Sequence, residues 1–139
     1  MARTSTYGVT VQFGDCDPGG IVFFPNYCRW MDAASLTYFT QCGVPPWRIL
    51  ENERGIVGTP LLEINTKFHK TATYGDTLTV HTHVEEWRRA TFIQAHRVIR
   101  GDDLICEGRE VRAFVRRDEH DPMRLRAIPV PEDIQALCS

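Results

Sequence analysis

PNYCRWMDAASLTYFTQCG, residues 25–43, is the stretch that decides the fold. Pro25-Asn26 offers a helix start, Tyr27, Trp30, Met31, Ala34 and Tyr38 recur at steps of about three to four residues, and Gly43 ahead of Pro45-Pro46 is a natural stop. The spacing predicts a helix of about 16 residues with one apolar face. A weaker helical stretch falls across Trp47 to Glu53, and no other segment carries a strong helical period.

Outward from this helix the period changes from helical to two. Upstream, Val9, Val11 and Phe13 alternate with Thr10 and Gln12, the mark of a half-buried strand, and the strand stops at the loop Gly14-Asp15-Cys16-Asp17-Pro18-Gly19-Gly20. Downstream, Leu62, Ile64, Thr66 and Phe68 alternate, as do Leu78, Val80, Thr82 and Val84. Thr91 to Arg100 is a third run without a clear phase, and Val111, Ala113 and Val115 make a fourth. Gly75-Asp76 and Gly101-Asp102 read as turns, with a hairpin bend at Arg88-Arg89-Ala90. One helix against a five-stranded antiparallel sheet is an α+β layer arrangement, and residues 1–139, lacking repeats and linkers, read as a single domain. The open sheet has two edges, and His81, His83, Glu85 and Phe114 read as lying opposite the core on their strands. Both features point to a homo-oligomer.

The composition fits such a domain and narrows its partners. The 139 residues are 42% hydrophobic and 24% charged, with 18 acidic against 16 basic residues and a formal net charge of −2. No positive field spreads over the surface, so nucleic acid is a poor partner. Nothing approaches the ~18 apolar residues of a membrane span or a secretory leader. Five cysteines without a C-x-x-C pair leave no zinc ribbon or disulfide framework, which suits a reducing, cytoplasmic setting. Fourteen of the basic residues are Arg and only Lys67 and Lys70 are Lys. Residues 1–87 sum to −3 and residues 88–126 to +3, with Arg88-Arg89 and Arg124-Leu125-Arg126 bounding the basic part. Paired guanidinium groups at loop positions suit phosphate, and solvated surface charge accounts for the remaining arginines.

Three common catalytic devices are missing: there is no G-x-S-x-G elbow, no G-x-x-x-x-G-K-[ST] loop and no G-x-G-x-x-G after a strand. What remains is Asp15-Cys16-Asp17-Pro18-Gly19-Gly20 just ahead of the long helix. A carboxylate beside free helix N-terminal N–H groups can serve acyl transfer, attacking a carbonyl itself or activating water while the N–H groups hold the oxyanion. Either Asp15 or Asp17 fits, and an Asp before Pro-Gly is also a common turn former. A rival constellation is His81-Thr82-His83, whose two imidazoles share a strand face and would need His69 or His96 as a third metal ligand.

The run from Phe13 to Tyr27, followed by Arg29-Trp30-Met31-Asp32-Ala33-Ala34-Ser35, resembles the active-site loop and central helix of the hotdog-fold acyl-CoA thioesterases. Within them it is most similar to the 4-hydroxybenzoyl-CoA thioesterase family. The likeness continues through Cys42 to Arg48, Glu53 to Pro60, Glu86 to Arg89, Arg124 to Ile128 and the terminal Leu137-Cys138-Ser139, nearly the whole chain. It implies a long central α-helix wrapped by a five-stranded antiparallel sheet, pairing into dimers and then a tetramer with active sites at subunit interfaces. It implies hydrolysis of an aromatic acyl-CoA to the acid and coenzyme A without metal or cofactor. Asp17 would be the catalytic carboxylate, as nucleophile or general base, and the Phe24 backbone N–H would polarise the thioester carbonyl. Trp47 and Thr59 match pocket positions, Asp32 the position that holds a ring hydroxyl, and Arg88, Arg89 and Arg126 the neighbourhood of the CoA phosphates. Phe24 stands where the family commonly has Tyr, and Ala90 where a further cation can occur. A backbone donor survives the first change, but benzoyl-CoA becomes a rival substrate. A non-catalytic acyl-CoA-binding hotdog protein and a His81/His83 metal enzyme are the other readings.

Overall fold

The computed structural model describes residues 3–139. Its elements in chain order are β1 (Thr4–Thr10), a 3-10 turn (Phe13–Asp15), α1 (Pro25–Gln41), α2 (Trp47–Arg54), β2 (Leu61–Phe68), β3 (Thr77–Trp87), β4 (Thr91–Arg100), β5 (Asp103–Ala113), β6 (Val115–Arg117), β7 (Leu125–Ala127) and α3 (Glu132–Leu137). The expected long helix is α1, with Pro25 in its first turn and Gly43, at φ 89°, just beyond its end. It buries Tyr27, Trp30, Met31, Ala34 and Tyr38 as the periodicity predicts, and Ser35 and Phe39 besides. The weaker helix is α2.

The main sheet is antiparallel with order β1-β3-β4-β5-β2, and α1 packs across one face of it. Gly108 makes room for a helix side chain: a Cβ there would meet Met31 Sδ at 2.6 Å, so a larger residue would force the methionine to shift. The two edges differ. On β1 the side chain of Gln41 acts as a short surrogate strand, its Nε2 donating to Thr6 O at 2.9 Å and its Oε1 accepting from Thr6 N at 3.3 Å. The other edge, β2, is open and carries exposed Leu61, Leu62, Ile64 and Phe68.

Three strand expectations need correction. The first strand lies earlier than Val9 to Phe13. Asp15 Oδ2 accepts the Gln12 N–H at 2.8 Å and bends the chain into the 3-10 turn, which throws Phe13 out to 76% exposure against Tyr74. The run Val111, Ala113, Val115 is not one core-facing strand. The core face of β5 is Cys106, Gly108, Glu110 and Arg112, with Val111 half-buried on the outer face. After Ala113 the chain changes partners, Phe114 N donating to Ala90 O and Val115 N to Gly58 O. Phe114 therefore turns inward and is fully buried among Phe39, Trp47 and Phe92, not on an outer contact face.

The core is in two apolar parts. One gathers Tyr27, Trp30 and Met31 with Leu78, Val80, Val98 and Ile105, and the other Tyr38 and Phe39 with Val84, Phe92, Phe114 and Ile134. Between them runs a buried polar belt: Ser35 on α1, Thr82 on β3, Gln94 and His96 on β4, and Glu110 and Arg112 on β5. This belt is why β4 has no legible phase, since its core face alternates Phe92, Gln94, His96 and Val98 while Ile93 and Ile99 lie on the other.

Candidate active site

The Asp15–Gly20 loop folds back on itself ahead of α1. Cys16 and Val22 form a bridge, Asp17 N donates to Ile21 O at 2.8 Å, and Gly20 N returns to Asp17 O at 2.9 Å. Gly20 sits at φ 82°, where an L side chain would be strained, and Thr73 Oγ1 donates to its carbonyl at 2.6 Å. The two aspartates then separate by role. Asp15 is consumed by the fold: Oδ2 holds the Gln12 N–H, Oδ1 holds Arg29 Nη2 at 3.0 Å, and its carbonyl accepts from both Phe23 N and Asn26 Nδ2. Asp17 is half-buried, its Oδ1 accepting the Gly19 N–H at 2.8 Å while Oδ2 has no hydrogen-bond partner among the described residues.

Phe24 caps α1 in helical conformation, so the Asn26 and Tyr27 N–H groups turn back to Phe23 O and Phe24 O. The Phe24 N–H itself has no partner among the described residues. A carboxylate oxygen and a backbone donor are thus both unsatisfied at one end of the helix, where the helix dipole also favours negative charge.

Asp32, Trp47 and Thr59 meet elsewhere. They line a cavity of about 420 Å³ with Leu36, Gly58 and Arg112. The indole of Trp47 packs against Gly58, 3.6 Å from where a Cβ would stand, and meets Phe39 edge-on with ring centroids 5.2 Å apart. At ~1.5 Å of rise per residue, Phe39 is ~22 Å along α1 from Phe24 and Asp32 is ~12 Å from it. A benzoyl thioester whose carbonyl meets Phe24 N–H therefore falls far short of Trp47 in the same protomer. The five residues thus fall into two groups, Asp17 and Phe24 at the N-terminal end of α1 and Asp32, Trp47 and Thr59 around the cavity beside its middle.

The arginines also divide. Val130 N donates to Arg89 O at 2.7 Å and Ile128 N to Phe114 O at 2.9 Å, so the Arg88-Arg89-Ala90 bend and the segment after β7 are fastened together. Arg126 follows the cavity residue Leu125 and pairs with the largely buried Asp118, whose carboxyl is held below the ordinary range by that guanidinium and by the His120 N–H. Arg88 pairs with Glu86 at 2.8 Å and lines a separate hollow of about 660 Å³ on the outer face of the sheet. Arg89 has no acidic partner among the described residues. The metal alternative is not assembled: His81 and His83 are half-buried on the outer face, whereas His96 is in the belt on the inner face and His69 lies 3.5 Å from Glu107. No cluster of three or more His, Cys, Asp or Glu placed for a metal occurs among the described residues.

The belt is continuous with the cavity. Thr82 Oγ1 meets His96 Nδ1 at 2.7 Å, His96 Nε2 meets Glu110 Oε1, and Arg112 Nη2 joins Glu110 Oε2 at 2.8 Å to Asp32 Oδ1 at 2.9 Å. Burial alone would raise the Glu110 carboxyl, but the His96 and Arg112 contacts outweigh it and hold it low. Neither Glu110 nor Arg112 was expected from the sequence as a site residue, and His96 only as a metal ligand. Their one signal is parity, since Gln94 and His96 share the phase of Phe92 and Val98.

A central helix against an antiparallel sheet, with an acidic loop at the helix N-terminus, is the hotdog architecture of acyl-thioester enzymes. The chain belongs to the Thioesterase-like superfamily, whose family model matches residues 11–137. It is 52% identical over 144 aligned positions, covering 100% of both chains, to the 4-hydroxybenzoyl-CoA thioesterase of Pseudomonas sp. strain CBS-3. Among solved structures, a D17N mutant of 4-hydroxybenzoyl CoA thioesterase complexed with 4-hydroxybenzoyl CoA superimposes with a TM-score of 0.94 at 50% identity, covering 99% of this chain and 100% of that one. A gentisyl-coenzyme A thioesterase matches with a TM-score of 0.82 at 28% identity, over 97% of this chain and 100% of its own. No helix is long and apolar enough to cross a membrane among the described residues.

Proposed function

We propose that the protein hydrolyses 4-hydroxybenzoyl-CoA to 4-hydroxybenzoate and coenzyme A. The observation that carries this is the 52% identity, over the whole of both chains, to a 4-hydroxybenzoyl-CoA thioesterase. The unpaired oxygen of Asp17 and the unpaired N–H of Phe24, both ahead of α1, support it chemically. Asp17 acts as nucleophile or as general base for water. As base it takes a proton from water, the oxygen adds to the thioester carbonyl, and the oxyanion is held at the Phe24 N–H. Collapse then expels the CoA thiolate, which takes up the proton. Trp47, Thr59 and Asp32 enclose the ring, with Asp32 Oδ2 accepting its 4-hydroxyl.

The two half-sites require two copies of the chain. The open apolar edge of β2 supports pairing there, which brings the Asp17–Phe24 end of one copy to the Asp32–Trp47–Thr59 cavity of the other. A tetramer built as a dimer of dimers follows the family pattern, and the five free cysteines suit the cytoplasm. Thiol release measured with 4-hydroxybenzoyl-, benzoyl-, phenylacetyl- and aliphatic acyl-CoA tests the activity. The highest kcat/KM is expected for 4-hydroxybenzoyl-CoA; a higher value for benzoyl-CoA reassigns the acyl group, and tight binding without thiol release reassigns the protein as a CoA-ester binder.

The CoA phosphates fall to Arg88, Arg89 and Arg126. Exposed ion pairs such as Arg88–Glu86 contribute only about 0–1 kcal/mol, whereas a charge-assisted phosphate contact contributes about 1.5–3 kcal/mol, so phosphate displaces the carboxylate. Arg89→Ala and Arg126→Ala are expected to raise KM roughly tenfold or more with kcat nearly unchanged. Turnover of a short N-acetylcysteamine thioester, which lacks those phosphates, is the control and should not change; equal losses there would remove the phosphate role.

A further inference from the structure

We infer that Arg112, fixed from behind by Glu110 and His96, is a positioning residue that makes the cavity selective for a hydroxylated ring; the inference rests on reading that cavity as the acyl pocket. Arg112 makes four hydrogen bonds from a side chain only 5% exposed: Nε to Glu110 Oε1, Nη2 to Glu110 Oε2 and Asp32 Oδ1, and Nη1 to the Thr59 carbonyl. One guanidinium therefore ties together two of the pocket residues, which come from a helix and a loop distant in sequence. Its own position is set by a carboxylate 1% exposed, which is backed by His96 and Thr82, both fully enclosed.

What this arrangement does follows from Asp32 itself. Its side chain is 72% exposed and sits on the open side of α1, where a carboxylate would otherwise swing among rotamers. Arg112 holds Oδ1 and leaves Oδ2 with no partner among the described residues, so the free oxygen is held in one direction before substrate arrives. A ring hydroxyl that donates to it meets a fixed acceptor, and a ring without the hydroxyl leaves that acceptor unpaired. Sites built to bond a hydroxyl discriminate strongly against analogues that lack one. The belt thus acts on selectivity between substrates, at a distance from the thioester carbonyl and Asp17.

The readout is the ratio of kcat/KM for 4-hydroxybenzoyl-CoA to that for benzoyl-CoA, two substrates that differ only in the hydroxyl. A general loss of structure lowers both and leaves the ratio in place. Arg112→Lys keeps a cation against Glu110 but lacks the fork that reaches Asp32 and Thr59 together, and is expected to lower the ratio about ten- to a hundredfold. Because a lone change in a buried ion cluster can prevent folding, the pair Glu110→Leu with Arg112→Met removes both charges at once and should lower the ratio equally. Asp32→Asn should lower it as well, and adding Arg112→Lys to Asp32→Asn should lower it no further, the two acting as one unit. If Asp32→Asn lowers the ratio but neither Arg112 variant does, the positioning role is overturned while the acyl-pocket reading stands. If Asp32→Asn leaves the ratio unmoved, both fall together.

Discussion

Asp17→Asn is expected to lower kcat by ~10² to 10⁴ or more while fold and substrate binding persist. The amide oxygen of Asn can still accept the Gly19 N–H that Asp17 Oδ1 accepts at 2.8 Å, so the turn before α1 closes as before. What disappears is the anionic oxygen that has no other partner. An amide neither takes a proton from water near neutral pH nor attacks a thioester, whichever of the two roles Asp17 plays. Single-turnover thiol release, with binding measured separately by calorimetry on the same variant, gives the check. Turnover near that of the parent would remove Asp17 from the chemistry, and weakened binding with unchanged kcat would make it a binding group.

The largest effect on stability is expected from Glu110→Ala. The substitution leaves Arg112 buried and His96 without its partner beneath α1, and breaking a buried pair from one side typically costs about 3–5 kcal/mol. Urea denaturation should show the midpoint falling accordingly, with the Glu110→Leu, Arg112→Met pair losing much less because no lone charge remains. A loss below about 1 kcal/mol for Glu110→Ala would mean that Asp32 and solvent compensate Arg112 on their own. Acid titration gives a second check. The Glu110 carboxyl is held below its ordinary value by His96 and Arg112 against the contrary effect of burial. Its contribution is therefore complete above the unfolded value of ~4.3 and is lost as pH falls through the lower folded value. The paired variant should lack that part of the acid transition.

Most of the secondary structure was legible because it depends on local chemistry: the 3.6-residue period from Tyr27 to Tyr38, the Gly43 stop, and the Gly75-Asp76 and Gly101-Asp102 turns all act within a few residues. The misreadings came where a distant partner decides. Phe13 alternates correctly for a strand, yet an Asp15 carboxylate turns the chain before it. Val111 and Val115 look like core positions, yet the belt takes the inner face of β5 and the chain leaves the sheet at Phe114. Of the candidate site, the Asp15–Gly20 loop was visible as turn chemistry and family resemblance pointed to Asp17, whereas the different hydrogen-bond partners of Asp15 and Asp17 carry no sequence signal. Asp32, Trp47 and Thr59 came only from family resemblance, since residues so far apart in sequence carry no spacing signal. Gln94, His96, Glu110 and Arg112 carry little signal beyond their parity, because a polar or charged residue at a core phase is rare unless its partner is at hand.

The polar belt also bears on how α1 finds its place. Apolar surfaces are forgiving, and a helix studded with Tyr, Trp, Met and Phe could settle against Phe92, Val98 and Ile105 in several neighbouring positions at similar gain. Polar pairings are not interchangeable in this way. One helical turn of sliding, ~5.4 Å, would carry Ser35 away from Gln94 Oε1 and Asp32 away from Arg112, leaving the buried Ser35, Gln94 and Arg112 groups short of partners in a region water does not reach. Ser35 and Asp32, one turn apart on the helix, thus work as a ratchet stop. These two contacts choose one docking of the central helix from among its near-equivalent alternatives.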